Sequence, residues 1–146
     1  MAKMVVRASS GELADSPAFS PDGHWIVYEV VLGDHQSGGI FVQPFPGPGL
    51  RRQIVATPGP VQWSRNGKEI LYESRGRIYS VGVDTVGGEL RFGAPALLLS
   101  GVRAPAGLNT ASHPLAVSRD GSRIFWPQAV DQPGSDVIQI RTRGGN

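Results

Sequence analysis

The sequence predicts an all-β protein that repeats one structural unit three times. The first observation is a motif that occurs three times, at residues 19–28, 63–72 and 117–126: an apolar residue, a serine, a turn that ends in glycine, and then isoleucine and an aromatic residue three and five positions later. A spacing of roughly 40 to 50 residues is typical of repeat architectures. The other observations are 20 glycines and 12 prolines scattered among the 146 residues, as in proteins of short strands, and the lack of any amphipathic helical pattern.

Each motif predicts a β-hairpin. Its turn pairs an aspartate or asparagine with glycine, and these residues tolerate the positive φ angles that tight hairpins need. The apolar segments on either side alternate as strands do, and they are named strands A and B. The turn residues therefore have a structural role and are assigned no chemistry. The turns are Asp22-Gly23, Asn66-Gly67 and Asp120-Gly121.

A third strand follows each hairpin, and a fourth strand follows two of them. Strand C is predicted at residues 39–43, 77–81 and 136–140, and strand D at residues 53–56 and 95–99. Four antiparallel strands per repeat make up one blade of a β-propeller. The predicted fold class is therefore all-β, with three four-stranded β-propeller blades that form a half-propeller.

The two ends of the chain complement each other. The third repeat has no strand D, whereas residues 3–7 form a spare apolar strand ahead of the first repeat. Propellers commonly close by adding an N-terminal strand to the last blade, which removes an exposed sheet edge. We expect a single domain over residues 1–146, with blades at about 16–57, 59–100 and 113–143.

The motifs also carry a family resemblance. Residues 17–28, PAFSPDGHWIVY, resemble the TolB-type, WD-like β-propeller repeat. Residues 40–49, IFVQPFPGPG, and residues 61–72, VQWSRNGKEILY, are similar to the propeller regions appended to some bacterial serine/threonine kinases. The resemblance covers nearly the whole chain and implies a sensor-like binding or scaffold module. The family's propellers usually have six blades, whereas this chain encodes three.

Three blades do not close a ring of the family's diameter, because each blade would need twice the wedge angle and two blade faces would stay open to water. Two chains related by a twofold axis would make a six-bladed ring, in which residues 3–7 of each chain complete the last blade of the partner. We therefore expect a homodimer. The alternatives are other oligomers, and a fragment that folds poorly outside a longer parent protein.

Composition excludes several classes of function. The formal net charge is only +2 and the basic residues are dispersed, so the basic stripe of a nucleic-acid groove is missing. The chain has no cysteine, which excludes disulfides, thiolate metal sites and cysteine nucleophiles, and no Gly-x-Ser-x-Gly nucleophile elbow. The first apolar run is too short for a signal peptide and no later run would span a bilayer. We expect a cytoplasmic protein without a membrane partner, although a longer parent protein can carry an export signal.

Functional sites of propellers usually lie at one mouth of the central channel, where the loops between strands B and C meet the connections from strand D to the next strand A. These segments are predicted at residues 9–16, 32–38, 73–76, 100–112 and 129–135. The expected ligand contacts are Glu73, Asp131 and, at the tip of the longest loop, Arg103 and Asn109. The full set of polar residues at or near the mouth is Asp15, Asp34, His35, Glu73, Arg75, Arg103, Asn109, His113 and Asp131.

His113 is the first candidate for a metal ligand, because it lies five residues before a motif serine, where the other repeats have Asp15 and Gly59. In a twofold dimer, two copies of His113 and of Asp15 would converge on the axis. Together with His35, these imidazoles and carboxylates are a suitable ligand set for a divalent ion such as zinc or calcium. The alternative is that His113 hydrogen-bonds a loop carbonyl, since the histidine spacing matches no metal motif.

The catalytic candidates are His113, His35 and Asp34. The Asp34-His35 pair could supply a metal ligand, a carboxylate that hydrogen-bonds a metal ligand, or a general base. The alternative interpretation of this pair is a solvated loop tip. His24 directly follows a turn on the opposite face and is interpreted as a surface residue. The aromatic residues follow strand alternation and are interpreted as blade core, with a carbohydrate platform as the weaker alternative.

The sequence therefore favours a ligand- or protein-binding β-propeller module that self-assembles into a closed ring and recognises a protein segment or a small molecule at the channel mouth. Because one fold serves many functions, this interpretation follows from the resemblance and not from the fold class. The alternative is a metal-assisted hydrolase of phosphoesters or lactones, in which an ion at the mouth polarises the substrate and activates water.

Overall fold

In the computed structural model, the described residues are 9–34, 37–47, 49–102, 115–120, 122–127 and 138–142. Within these ranges the chain forms strands and turns, and no helix there is long and apolar enough to cross a membrane. The strands are β1 (Glu12–Phe19), β2 (Trp25–Leu32), β3 (Gly38–Pro44), β4 (Arg52–Val55), β5 (Val61–Trp63), β6 (Glu69–Ser74), β7 (Arg77–Val86), β8 (Glu89–Phe92), β9 (Ala96–Ser100), β10 (Ala116–Val117), β11 (Arg123–Pro127) and β12 (Ile138–Thr142).

The strands form three antiparallel sheets, one for each predicted repeat. Sheet I has the order β1-β2-β3-β4, and sheet II has β5-β6-β7-β9, with β8 paired to the far end of β7. Sheet III has the order β10-β11-β12 within the described residues. This order confirms the predicted succession of strands A, B, C and D in the first two repeats. The N-terminal strand expected at residues 3–7 lies outside the described residues.

The motif serine organises the turn between strands A and B in each sheet. In sheet II, the hydroxyl oxygen of Ser64 accepts a hydrogen bond from the backbone N–H of Glu69 at 3.0 Å, and the hydroxyl donates to Oδ1 of Asn66 at 2.8 Å. Ser20 and Ser118 make the same pair of contacts in sheets I and III. The recurring motif is therefore explained by the hydrogen bonds of the turn, as predicted.

Two apolar clusters hold the sheets face to face. The first lies between sheets I and II and includes Val27, Ile40, Trp63 and Ile70. The second lies between sheets II and III. Sheet II is therefore covered on both faces, which explains why its central strands are apolar on both sides. The members of the second cluster are Leu71, Ile78, Val102, Leu115, Ile124 and Trp126.

The outer face of sheet I, which points away from sheet II, carries a smaller cluster of Ile26, Tyr28 and Val30, with Phe41 packed against it. The guanidinium of Arg51 lies 4.7 Å from the centroid of the Phe41 ring. Glu12 binds this guanidinium through both carboxylate oxygens, at 2.8 and 3.0 Å. An ion pair from the same sheet thus lies over part of this face.

Two elements differ from the prediction. Residues 9–16, expected as a loop at the channel mouth, are strand from Glu12 onward, because β1 pairs with β2 as far as Leu32. The strand is interrupted by a register shift between Asp15 and Ala18. The second difference is β8, which was not predicted: β7 continues beyond sheet II and turns at Gly87 and Gly88, both at positive φ, into an additional hairpin.

Candidate functional site

The mouth side of sheet II is shaped by the tight turn between β6 and β7. Arg75 and Gly76 both have positive φ, of 52° and 75°, as in the turns that match the twist of a two-residue hairpin. Oε1 of Glu73 accepts a hydrogen bond from the Gly76 N–H at 2.6 Å. The carboxylate of Glu73 therefore stabilises the turn, and the exposed Arg75 lies at its tip.

A cavity of about 330 Å³ lies beside this turn. Tyr72 and Tyr79 form one wall, with parallel rings whose centroids are 5.2 Å apart. The Ser74 hydroxyl donates a hydrogen bond to Oγ1 of Thr57 at 3.1 Å, which ties β6 to the connection that leads from sheet I. The residues that line the cavity are Thr57, Tyr72, Ser74, Arg75, Arg77 and Tyr79, and we call it the mouth-side cavity.

The mouth-side cavity is positively charged. Neither Arg75 nor Arg77 forms an ion pair with a carboxylate in the part of the chain that the structure describes. Burial raises the pKa of Tyr72 above its usual value, and the neighbouring Tyr79 raises it further, so the Tyr72 hydroxyl stays protonated. Guanidinium groups, hydroxyls and aromatic faces in one cavity suit a polar ligand that carries a carboxylate or phosphate group.

A buried carboxylate, that of Glu29, lies between sheets I and II on the same side. Glu29 is 1% exposed, and its Oε1 accepts a hydrogen bond from the Ser16 hydroxyl at 3.3 Å. Burial raises the pKa of Glu29 because it disfavours the charged form, and the charges of Asp15 and Glu73 raise this pKa further. The hydrogen bonds from Ser16 and from the Gly59 N–H lower it. Glu29 therefore links strand β2 to the segment that enters sheet II.

The described site residues lie at different positions relative to Glu29. The charges of Asp15 and Glu73 both raise its pKa. Asp15 lies within β1, where its Oδ1 accepts a hydrogen bond from the Ser16 N–H at 2.6 Å. Asp34 accepts hydrogen bonds from the N–H and the hydroxyl of Ser37, and so stabilises its own loop. The remaining predicted residues, His35, Arg103, Asn109, His113 and Asp131, lie outside the described residues.

The metal site predicted from His113, Asp15 and His35 stays a prediction, because both histidines lie outside the described residues. Among the residues that the structure does describe, no group of three histidine, cysteine, aspartate or glutamate side chains is placed to hold a metal ion.

Sequence reasoning missed Glu29. A signal was present, because a Tyr-Glu pair lies in strand B of two repeats, as Tyr28-Glu29 and Tyr72-Glu73, with the glutamate six residues after the turn glycine. The two equivalent glutamates have different roles: one stabilises a turn and the other is buried between sheets. This division depends on contacts between repeats, which a repeat pattern does not specify.

Comparison with known proteins places the fold. No protein-family model matches the chain, and no curated protein matches it. Among solved structures, the chain is similar to TolB from Acinetobacter baumannii, with a TM-score of 0.54 and 19% sequence identity. The match covers 88% of this chain and 30% of the TolB chain. At this identity the likeness shows the fold alone. It confirms a TolB-like β-propeller fold, whereas the resemblance to kinase propellers stays a prediction.

Proposed function

We propose that this chain is a ligand- or protein-binding β-propeller module that completes its ring with a second copy of itself and binds its ligand in the mouth-side cavity. The observation that carries the binding proposal is the combination of Arg75 and Arg77, both without an ion-pair partner among the described residues, with the stacked pair of Tyr72 and Tyr79. Guanidinium groups bind carboxylate and phosphate through paired hydrogen bonds, and the ring faces add apolar contact.

The proposal of a non-enzymatic module is supported by the hydrogen bonds of the nearby carboxylates, which stabilise the backbone around them. Glu73 and Asp34 accept backbone hydrogen bonds within their own turns, and Asp15 accepts the Ser16 N–H. A general base or a metal ligand needs lone pairs that point toward a substrate or an ion. The metal-assisted hydrolase therefore has no specific support among the described residues.

Ring completion is supported by the composition of sheet III. This sheet shows three strands in the described ranges, one fewer than sheet I. A second copy would supply residues 3–7 as a fourth strand and so protect the edge of sheet III.

Native mass spectrometry tests the assembly. We expect a dimer for the full chain and a monomer after removal of residues 1–8, because the proposed strand exchange is then lost. A monomeric full chain, or an unchanged dimer after the removal, would contradict completion of the ring by strand exchange. Trimers or higher oligomers would contradict the twofold ring.

Thermal-shift titration with citrate and with inorganic phosphate tests the cavity independently of assembly. We expect at least one of the two anions to raise the melting temperature of the wild-type protein, and the double variant Arg75→Ala/Arg77→Ala to lose this response. Arg91→Ala removes an exposed arginine on β8 and is the matched control. If neither anion has an effect, or if the double variant responds as the wild type does, the proposed cavity is wrong.

A further inference from the structure

A second groove lies at the opposite end of the strands, where the turns between strands A and B of the three repeats meet. Its volume is about 500 Å³. Repeat one contributes Phe19 and Pro21, repeat two contributes Trp63, Arg65 and Asn66, and repeat three contributes Arg119. We call it the turn-side groove. Residues from all three repeats line this groove, so it forms only when the three sheets pack together.

The turn-side groove carries two positive charges. Arg65 and Arg119 occupy equivalent positions, directly after the motif serines, where the first repeat has Pro21. Both arginines are exposed, and neither forms an ion pair with a carboxylate within the described ranges. Such guanidinium groups are available to a ligand without the cost of breaking an existing pair.

Among the described residues, no carboxylate lines the turn-side groove. The middle turn has the neutral Asn66 where the other turns have Asp22 and Asp120. The two aspartates are engaged in their own turns: Asp22 accepts hydrogen bonds from the Ser20 hydroxyl and the His24 N–H. Asp120 makes the equivalent contacts with Ser118 and Ser122. No carboxylate in the described lining of the groove therefore offsets the charge of the two arginines.

One wall of the turn-side groove is apolar and held in place. The side chain of Phe19 is 51% exposed, and its ring packs edge-on against Phe45 with a centroid distance of 4.9 Å. Trp63 is buried, and its indole N–H already donates to the Gly67 carbonyl oxygen at 3.3 Å. The exposed apolar surface of this wall therefore comes from Phe19 and Pro21. Exposed aromatic rings fixed by neighbours are typical anchors of protein interfaces.

We infer that the turn-side groove binds an acidic segment of another protein, in which a carboxylate contacts Arg65 and Arg119 and a neighbouring apolar side chain packs on Phe19. Charge complementarity favours an acidic partner, because the lining of the groove, as far as the structure describes it, presents two arginines and no acid. The volume is sufficient for a few residues of a peptide. A nucleic acid would require a longer basic stripe than two arginines provide.

Fluorescence anisotropy with a labelled peptide of one phenylalanine flanked by two glutamates tests this inference. We expect Arg65→Ala/Arg119→Ala to weaken binding by about tenfold or more, since two charge-assisted contacts are lost. Phe19→Ala is expected to weaken binding severalfold, and replacement of the glutamates by glutamines is expected to abolish it. Added sodium chloride should weaken wild-type binding, because exposed charges are screened.

The matched control is Arg91→Glu, which lowers the net charge by the same two units at an exposed position on β8, away from both cavities. It should leave peptide binding unchanged, and circular dichroism should show that all variants keep the fold. Equal binding by the wild type and by Arg65→Ala/Arg119→Ala would overturn the inference, as would an equal loss in the control. A phosphoserine peptide that binds more tightly than the glutamate peptide would overturn the assignment to carboxylates. None of these outcomes depends on the mouth-side cavity or on the ring.

Discussion

The hydroxyl of Ser16 donates a hydrogen bond to the carboxylate of Glu29 across the irregular part of the β1–β2 hairpin, at 3.3 Å. The same carboxylate accepts a hydrogen bond from the N–H of Gly59, in the segment that leads into β5. One buried acid therefore connects both strands of a hairpin in sheet I with the entrance of sheet II. Its protonation affects the stability of the contact between the sheets.

Glu29→Gln should stabilise the protein at neutral and higher pH. Burial raises the folded-state pKa of Glu29 above the unfolded value of about 4.5, so folding favours the protonated form. This favourable contribution is complete below the unfolded pKa and is lost as the pH rises through the folded pKa. A glutamine amide keeps the acceptor without the charge, so we expect a gain of about 1 kcal/mol at about pH 8 and little gain at about pH 4.

Melting temperatures from circular dichroism at the two pH values measure this effect. Glu89→Gln on β8 is the control, because Glu89 is exposed. A stabilisation by Glu29→Gln that is the same at both pH values would show that the carboxylate does not titrate as proposed.

Glu12→Gln should have the opposite pH dependence. The hydrogen bonds from Arg51 lower the pKa of Glu12 to about 2, with a smaller contribution from the Ser9 N–H. A lowered folded pKa stabilises the protein above the unfolded pKa, and this contribution is lost as the pH falls toward about 2. We expect Glu12→Gln to lower the unfolding free energy by about 0.5–1 kcal/mol at neutral pH, as for a partly exposed ion pair.

Urea denaturation at neutral pH and at about pH 2.5 compares Glu12→Gln with the wild type, and the difference should shrink at the lower pH because the wild-type carboxylate is then increasingly protonated. Glu89→Gln again serves as the control. A difference that persists unchanged at low pH would show that the charge of the Glu12 carboxylate does not cause the effect.

The hairpin turns could be predicted from the sequence because their signal is local. Serine, an aspartate or asparagine, and glycine within four residues specify the turn, and the hydrogen bonds of Ser20 and Ser64 confirm it. The β7–β8 hairpin was missed although Gly87-Gly88 is a turn signal. Its place depends on distant contacts: Arg52 donates to the Leu90 carbonyl oxygen at 2.9 Å, and Leu90 is buried with the residues between sheets I and II.

The mouth-side cavity and the turn-side groove could not be predicted from the sequence, for a physical reason. The alternating pattern of a blade indicates which side chains of each strand point into the core. It does not specify which loops of neighbouring repeats contact each other. The mouth-side cavity joins Thr57 to Arg77, and the turn-side groove joins Phe19 to Arg119. These pairs are far apart in sequence and become neighbours only when the sheets pack.

Ser64→Ala should destabilise the protein more than Ser118→Ala. Ser64 is 1% exposed, and its removal leaves the Glu69 N–H without the serine oxygen in a partly buried turn. The equivalent N–H of Arg123 lies in an exposed turn, where water can replace Ser118. We expect losses of about 1–3 kcal/mol for Ser64→Ala and below about 1 kcal/mol for Ser118→Ala in urea denaturation. Equal losses would mean that burial of the turn does not matter.

Gly59→Ala should be strongly destabilising, because the new methyl group would lie 2.0 Å from the carbonyl oxygen of Glu73. That oxygen belongs to the backbone of β6, whose Glu73 N–H donates to the Pro60 carbonyl oxygen at 3.0 Å, so the methyl group forces the entrance of β5 away from β6. The shift also strains the contact from the Gly59 N–H to Glu29. We expect a loss of about 2 kcal/mol or more.

Gly82→Ala is the matched control for this backbone contact, because a methyl group there would meet no atom within 4 Å. Its stability should stay within about 0.5 kcal/mol of the wild type, or rise slightly as the unfolded chain loses freedom. The double variant Gly59→Ala/Glu29→Gln separates the two effects of the methyl group. If the loss came mainly from the weakened contact to a charged Glu29, the glutamine would restore part of the stability at about pH 8. If the clash with Glu73 dominates, as the 2.0 Å approach indicates, urea denaturation should show the same loss in both Glu29 backgrounds.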